Sequence, residues 1–296
     1  MRTWAFAAAL ILALAYQLVR IWPYTPLHAD EVAVAASCDP ASRVRLLIAN
    51  VLMTNRTAEP LLDQVRRLDP DIVLLVETDA WWDARLAGLK ARFPYVVSEP
   101  RDDFYGLHFF SRFALVDPKV RFLIDEYVPS LRTGLRLPSG ALIDFHGLHS
   151  KPPPQHDTAR RDAELLLTAR EVRDTRPPSI VAGDLNDVAW SRMTHLFREV
   201  GGLLDPRVGR GPYPTFNANW PLLRWPLDHI FFEPEFGLLE LRVLDHTGSD
   251  HFPVFAALCH APDARSERVL HLPEPEDVRA ADEAIREGRE EAREKR

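Results

Sequence analysis

Ser179-Ile180-Val181-Ala182-Gly183-Asp184-Leu185-Asn186 decides the reading of this chain. The run up to Ala182 reads as a buried strand. The residues after it place a carboxylate and a carboxamide two positions apart, on the same side of an extended chain. The first can hold a hard cation or take a proton. The second can orient a phosphate oxygen or a water. Taken alone, Asp and Asn after a strand are more often turn formers. What decides between the two readings is the rest of the chain.

The same pattern recurs along the sequence. Asn50 ends Leu46-Leu47-Ile48-Ala49, and Glu77 ends Ile72-Val73-Leu74-Leu75-Val76. His149 closes the run from Leu142, Asp228 opens Leu227–Phe232, and Asp250-His251 precedes Phe252-Pro253-Val254-Phe255. Any one of these suits a cap or a turn. Taken together, they predict a single rim of carboxylates, amides and imidazoles, because strand ends of α/β sheets converge where such folds build their sites.

Helical patterns alternate with the strands. They are predicted from Pro60 through Leu68, from Trp81 to Phe93, from Thr158 to Arg173 and from Ser191 to Val200. Short β-like runs lie at Tyr95–Ser98, Leu107–Ser111, Val120–Ile124, Glu240–Leu244 and Val254–Leu258. No internal repeat is evident. The fold class expected is a layered α/β or α+β domain. The net charge of −7 argues against general binding of polyanions.

The N-terminus reads differently. Trp4 to Tyr16 is unbroken apolar sequence, and Leu18, Val19, Ile21 and Trp22 extend it. This is close to the length of about 20 residues that spans a bilayer. Residues 1–24 are therefore expected to be a membrane anchor, with residues 4–22 in the membrane; a cleaved signal segment ending at Ala33-Val34-Ala35 is the alternative. Arg2 before the span mildly favours a single-pass protein of the cell membrane with its domain extracytoplasmic. Residues 25–42 read as a linker, 43–262 as the catalytic domain and 263–296 as a charged tail without chemistry. The two cysteines, Cys38 and Cys259, flank the domain. They pair if its first and last strands are neighbours, and are otherwise two unrelated thiols.

The order of the motifs resembles the endonuclease/exonuclease/phosphatase (DNase I-like) superfamily over about residues 43–260. The segments that carry it are Ile48-Ala49-Asn50-Val51, Val76-Glu77-Thr78, Tyr105-Gly106 with Ser111-Arg112, His149 before Pro152-Pro153, Gly183-Asp184-Leu185-Asn186, Pro226-Leu227-Asp228-His229-Ile230 and Ser249-Asp250-His251-Phe252-Pro253-Val254. The aromatic, proline-rich stretch from Tyr213 to Pro226 is more similar to that superfamily's bacterial membrane-associated branch. The resemblance implies a four-layer α/β/β/α sandwich with its first and last strands close, which favours a Cys38–Cys259 bond.

The resemblance also implies roles. Glu77 would bind Mg²⁺ or Mn²⁺, with Asn50 and Asp250 beside it. Asp184 would orient or deprotonate the attacking water, and Asn186 would hold a phosphate oxygen. His251, steadied by Asp228, would contact the phosphate or act as a base, and His149 would serve the leaving oxygen. Arg101, Arg112 and Lys151 are candidate phosphate contacts, and His108 is packing or an extra substrate contact. His146 and His229 alternate away from the site, while His246 could be exposed. The activity expected is metal-dependent hydrolysis of a phosphodiester or phosphomonoester, in a lipid head group, a small molecule or a nucleic acid. A DNA or RNA nuclease is the alternative, although no basic stripe with interleaved aromatics is present. A catalytically silent scaffold is disfavoured because every expected position is filled. No protein partner is evident.

Overall fold

The structure is a computed structural model that describes residues 2–152, 158–263 and 273–294. In chain order its elements are α1 (Arg2–Ile21), β1 (Arg43–Asn50), α2 (Glu59–Leu68), β2 (Ile72–Val76), α3 (Ala80–Leu86), β3 (Tyr95–Glu99), β4 (Leu107–Ser111), β5 (Ala114–Arg121), β6 (Ser130–Arg136) and β7 (Leu142–His149). They continue with α4 (Ala159–Asp174), β8 (Ser179–Asp184), α5 (Arg192–Gly201), β9 (Asp228–Phe232), β10 (Phe236–Val243), β11 (Val254–His260) and α6 (Pro275–Glu294). One mixed sheet has the order β10-β11-β1-β2-β4-β3 and the other β5-β6-β7-β8-β9.

Side-chain alternation explains the layers. Leu46, Ile48, Ile72 and Leu74 face one way and meet Leu131, Phe145, Ile180 and Ile230 of the other sheet. Leu47, Val73 and Leu75 face the opposite way, against Leu61 and Val65 of α2 and Trp82 of α3. On the far side, Val181 and Phe231 pack on Leu165, Leu166 and Phe197 of α4 and α5. The result is the expected α/β/β/α sandwich, DNase I-like in its two mixed sheets with flanking helices.

Each sheet contains one parallel pair. β1 runs parallel to β2 across α2, and β7 runs parallel to β8 across α4. The C-terminal ends of all four strands therefore reach one rim. β9 runs antiparallel to β8 with Asp184 opposite Asp228, and β11 runs antiparallel to β1, so the starts of β9 and β11 reach that rim too.

Several local expectations are corrected. The helix expected from Trp81 to Phe93 ends at Leu86 and continues as a 3₁₀ turn, Ala87–Ala91. The strand expected at Val120–Ile124 lies earlier, at Ala114–Arg121, and pairs with β6, for which no strand was expected. Residues 25–42 are no free spacer. Val32 is fully buried, Val34 bridges to Leu238 of β10, and the Glu31 carboxylate accepts from Arg198 Nη2 and Asp205 N. Within the charged tail, α6 buries Ala281 and Ile285 against the α4 layer. Its Gly288 packs so closely that a Cβ there would lie 2.4 Å from the Ala159 carbonyl oxygen. Residues 264–272 of that tail, and Pro153 of the His149 motif, lie outside the described residues. Cys38 and Cys259 form a disulfide, with Cα atoms 5.8 Å apart, because β1 and β11 are neighbours. The helix α1 is long and apolar enough to cross a membrane, and its side chains are largely exposed.

Candidate active site

The rim brings two carboxylates to one amide. Asn50 Nδ2 donates to Glu77 Oε1 at 2.7 Å and to Asp184 Oδ2 at 3.0 Å. Its Oδ1 accepts from Leu52 N, which fixes the amide's orientation. Glu77 sits just beyond β2 in the left-handed region, φ 62°, where its Oε2 also accepts from Met53 N. Asn186 is left-handed as well, φ 51°, and its N–H donates to Asp184 Oδ1 at 2.9 Å. Non-glycine residues held in this region are costly and cluster at functional sites.

Gly183 is required by the close approach of β7. A Cβ there would stand 1.9 Å from the Leu148 carbonyl oxygen, and its φ is 140°. Gly106, of the Tyr105-Gly106 motif, meets the Thr78 carbonyl oxygen in the same way, at 1.8 Å. Both glycines set backbone immediately beside the candidate residues.

Asp228 and His251 form a buried dyad. His251 Nδ1 donates to Asp228 Oδ2 at 2.8 Å, and its Nε2 lies 3.7 Å from Asp184 Oδ2. Burial pulls the His251 imidazole down, but the Asp228 and Asp184 carboxylates outweigh it and push it up to about 10. His149 Nε2 is 3.9 Å from both Glu77 Oε1 and Asp184 Oδ2. Its burial lowers its pKa, and its buried Nδ1 has no hydrogen-bond partner among the described residues. Burial also pushes Glu77 up to about 7, with the Asp184 charge adding to the rise against hydrogen bonds from Asn50 and Met53 N. Asp184 is raised by burial and by Asp228.

This donor set fits a hard divalent cation. The Glu77 and Asp184 carboxylates converge on one neutral amide, and oxygen ligands of this kind suit Mg²⁺ or Mn²⁺. A second grouping, Asp184, Asp228 and His251, offers ligand atoms within 4.8 Å of one another. It is the weaker candidate, because Asp228 and His251 already satisfy each other and a protonated imidazole cannot bind a metal. Asp250 does not join the hydrogen-bonded cluster; its carboxylate lies 3.5 Å from Ser249 Oγ, and its charge acts on His251.

Other expected contacts are placed elsewhere. Arg112 lies at the opposite rim, because β4 is antiparallel to β2, and it pairs with Asp69 and Asp71. Arg101 is held by Asp103, and Lys151 Nζ donates to the Tyr127 hydroxyl at 2.9 Å. His108 is fully buried, between Thr78 Oγ1 and Asp83. His146 is buried beside Asp144, and His229 sits between Arg207 and the Asp187 carbonyl, both away from the cluster as alternation predicts. His246 is exposed, with its ring on the Ser249 carbonyl.

Four supporting residues carried no assigned role in the sequence reading. Ser249 Oγ donates to the Asn50 carbonyl at 2.8 Å and accepts from His251 N, which joins the two halves of the rim. Thr215 Oγ1 accepts from Leu227 N and Asp228 N. The Phe216 ring packs on His251 with centroids 4.9 Å apart, and Arg161 Nη1 donates to the Asn186 carbonyl. The Thr215–Asp228 and Ser249–Asn50 ties span 13 and 199 residues, so they leave no local pattern to read.

The same architecture occurs in solved structures. Danio rerio TDP2, in a form humanized by 14 mutations, aligns with a TM-score of 0.62 at 15% identity, covering 73% of this chain and 99% of that one. The human Nocturnin catalytic domain gives 0.61 at 18% identity, covering 80% and 98%. An endonuclease/exonuclease/phosphatase from Beutenbergia cavernae gives 0.61 at 20% identity, covering 74% and 72%. At these identities the likeness is one of fold. No curated protein matches the chain in sequence. Residues 47–251, most of the chain and every residue of the rim, match the profile of one family, whose members are phosphoric ester hydrolases. The chain belongs to the Endonuclease/Exonuclease/phosphatase family.

Proposed function

We propose that this protein is a divalent-metal-dependent phosphoesterase, tethered to the cell membrane by α1 with its domain on the extracytoplasmic side. The observation that carries the reaction is the Asn50 amide bridging Glu77 and Asp184 opposite the Asp228–His251 dyad. The Cys38–Cys259 bond supports an oxidising compartment.

Glu77 and Asn50 would hold the cation, with Asp250 at its edge. Bound Mg²⁺ or Mn²⁺ would neutralise charge gathering on the phosphate. Asp184 accepts the proton of the attacking water or aligns it. Asn186 turns an amide hydrogen toward a phosphate oxygen while Nδ2 also donates to the Ser150 carbonyl. Asp228 holds the Nδ1–H of His251, which leaves Nε2–H to donate to the phosphate; the cationic form favours this over a role as base. His149, 3.9 Å from both Glu77 and Asp184, would serve the leaving oxygen.

The test is hydrolysis of bis(p-nitrophenyl) phosphate by the full chain in detergent micelles, with Mg²⁺ or Mn²⁺ and with EDTA. Turnover should require the metal, and Asp228→Asn should lower kcat about a hundredfold, the worth of one buried charge-assisted hydrogen bond. Metal-independent turnover, or none, would contradict the proposal. A nuclease is the second reading, supported by the similar fold of Danio rerio TDP2, which was crystallised with a single-stranded DNA product. Parallel assays on single-stranded DNA and on phospholipid vesicles separate the two.

A further inference from the structure

The end of α1 is fastened to the rim. Arg20 Nε donates to the Trp190 carbonyl at 3.1 Å, and the Tyr24 hydroxyl donates to the Ala189 carbonyl at 2.7 Å. Trp190 follows Asn186 by four residues, so the helix end lies beside the catalytic loop. Between them is a cleft of about 760 Å³. Its apolar lining includes Ile21 of α1, Phe216, Trp225, Pro152 and Trp190. Asn186 lines it as well.

We infer that this cleft takes the hydrocarbon chain of a membrane lipid whose phosphoester head reaches the catalytic rim, so that the substrate is an amphipathic phosphoester drawn from the bilayer. The inference rests on the phosphoesterase reading. Three observations carry it beyond that reading. The cleft is continuous with the site, because Asn186 lines it and Phe216 packs on His251. Its wall includes the last turns of a helix able to span a membrane, which sets its mouth at the bilayer surface. The loop carrying Trp225 also exposes Trp220, Leu223 and Leu222, the last 90% exposed, as interfacial anchors would be.

The charge around the cleft fits a lipid better than a polynucleotide. Among the described residues its one cationic lining group is Arg161, which is held by Asp162 and the Asn186 carbonyl. A channel for single strands needs basic side chains along the backbone path.

The experiment compares p-nitrophenyl methyl phosphate with p-nitrophenyl dodecyl phosphate, which share one scissile bond. The full chain is used in phosphatidylcholine nanodiscs with Mg²⁺ or Mn²⁺. The readout is the dodecyl-to-methyl ratio of kcat/KM, from which a general loss of activity cancels. Partition of the dodecyl ester into lipid is common to all variants. Trp225→Ala should lower the ratio about tenfold, the worth of one lost apolar wall, and Trp225→Phe should restore most of it. Ile21→Ser, on α1 rather than on the loop, should lower it independently. An equal ratio in wild type, Trp225→Ala and Ile21→Ser overturns the inference. So does a gain over the methyl ester with thymidine 5′-(p-nitrophenyl phosphate) that matches the dodecyl gain. If neither alkyl ester is hydrolysed, the phosphoesterase reading fails separately. Calorimetric binding of the matching methyl and dodecyl phosphonates then decides: a dodecyl preference weakened by Trp225→Ala supports the cleft, and no such difference overturns it.

Discussion

Replacing Asn50 with Asp tests the centre of the site without any substrate. The wild-type amide donates to Glu77 Oε1 and Asp184 Oδ2 at 2.7 and 3.0 Å. Aspartate keeps the shape and the acceptor for Leu52 N, but turns two attractions into two repulsions. Unit charges about 3 Å apart repel by roughly 5 kcal/mol at an effective dielectric constant of about 20. Proton uptake relieves part of this, at about 1.4 kcal/mol per unit of pKa shift. A net loss of about 3 kcal/mol at pH 8 is expected, the lower end for an uncompensated buried charge. The inserted carboxyl has its pKa raised by folding. Its penalty is therefore absent below the ordinary aspartate value of about 4 and grows as pH rises. The assay is thermal melting of the full chain in micelles at pH 5 and pH 8, with EDTA and then with excess Mg²⁺ or Mn²⁺. At roughly 2–4 °C per kcal/mol, the melting temperature at pH 8 should fall by about 6–12 °C. The fall should be smaller at pH 5, and the cation should recover more of it than it adds to wild type. An equal loss at both pH values, or a loss under about 2 °C at pH 8, would refute the bridged geometry.

Three further outcomes follow from other parts of the fold. Gly183→Ala should destabilise the protein by several kcal/mol, about 3 or more, because its Cβ would meet the Leu148 backbone oxygen at 1.9 Å; chemical denaturation measures this, and a change below about 1 kcal/mol contradicts the packing. Glu164 is buried on α4, and that burial pushes it up to about 8. Its raised pKa contributes stability below the unfolded value of 4.5, lost as pH climbs through 8. Glu164→Gln should therefore gain on wild type by a few kcal/mol between pH 5 and pH 9, at about 1.4 kcal/mol per unit, and parallel stability curves would exclude this. Cys38→Ser with Cys259→Ser should cost about 2–4 kcal/mol in the non-reducing melt, and the cysteines of unreduced, denatured wild type should resist alkylation.

The legible part of the site was its strand ends. Asn50, Glu77, His149, Asp184 and Asp228 each terminate or open an apolar run whose alternation is local, so both the run and its polar end show in sequence. The misread parts depend on partners far away. Arg112 follows a motif residue, yet strand direction sends it to the opposite rim and onto Asp69. Residues 25–42 have no period of their own because their order comes from Arg198, Asp205 and Leu238. The strand β6 is interrupted by Arg132 and Gly134, and its pairing is set by β5 and β7.

The sequence by itself determined which groups are present: an apolar N-terminal helix, alternating strands and a set of carboxylates, amides and imidazoles at their ends. Only the tertiary structure decided which of them meet. Parallel β1–β2 and β7–β8 pairs in two facing sheets bring Asn50 between Glu77 and Asp184, residues separated by more than a hundred positions. The docking of α1 beside Trp190 places an apolar cleft at that rim. Periodicity is a property of neighbours along the chain, whereas charge pairing and cavities arise from contacts between distant segments, and those depend on strand direction and packing.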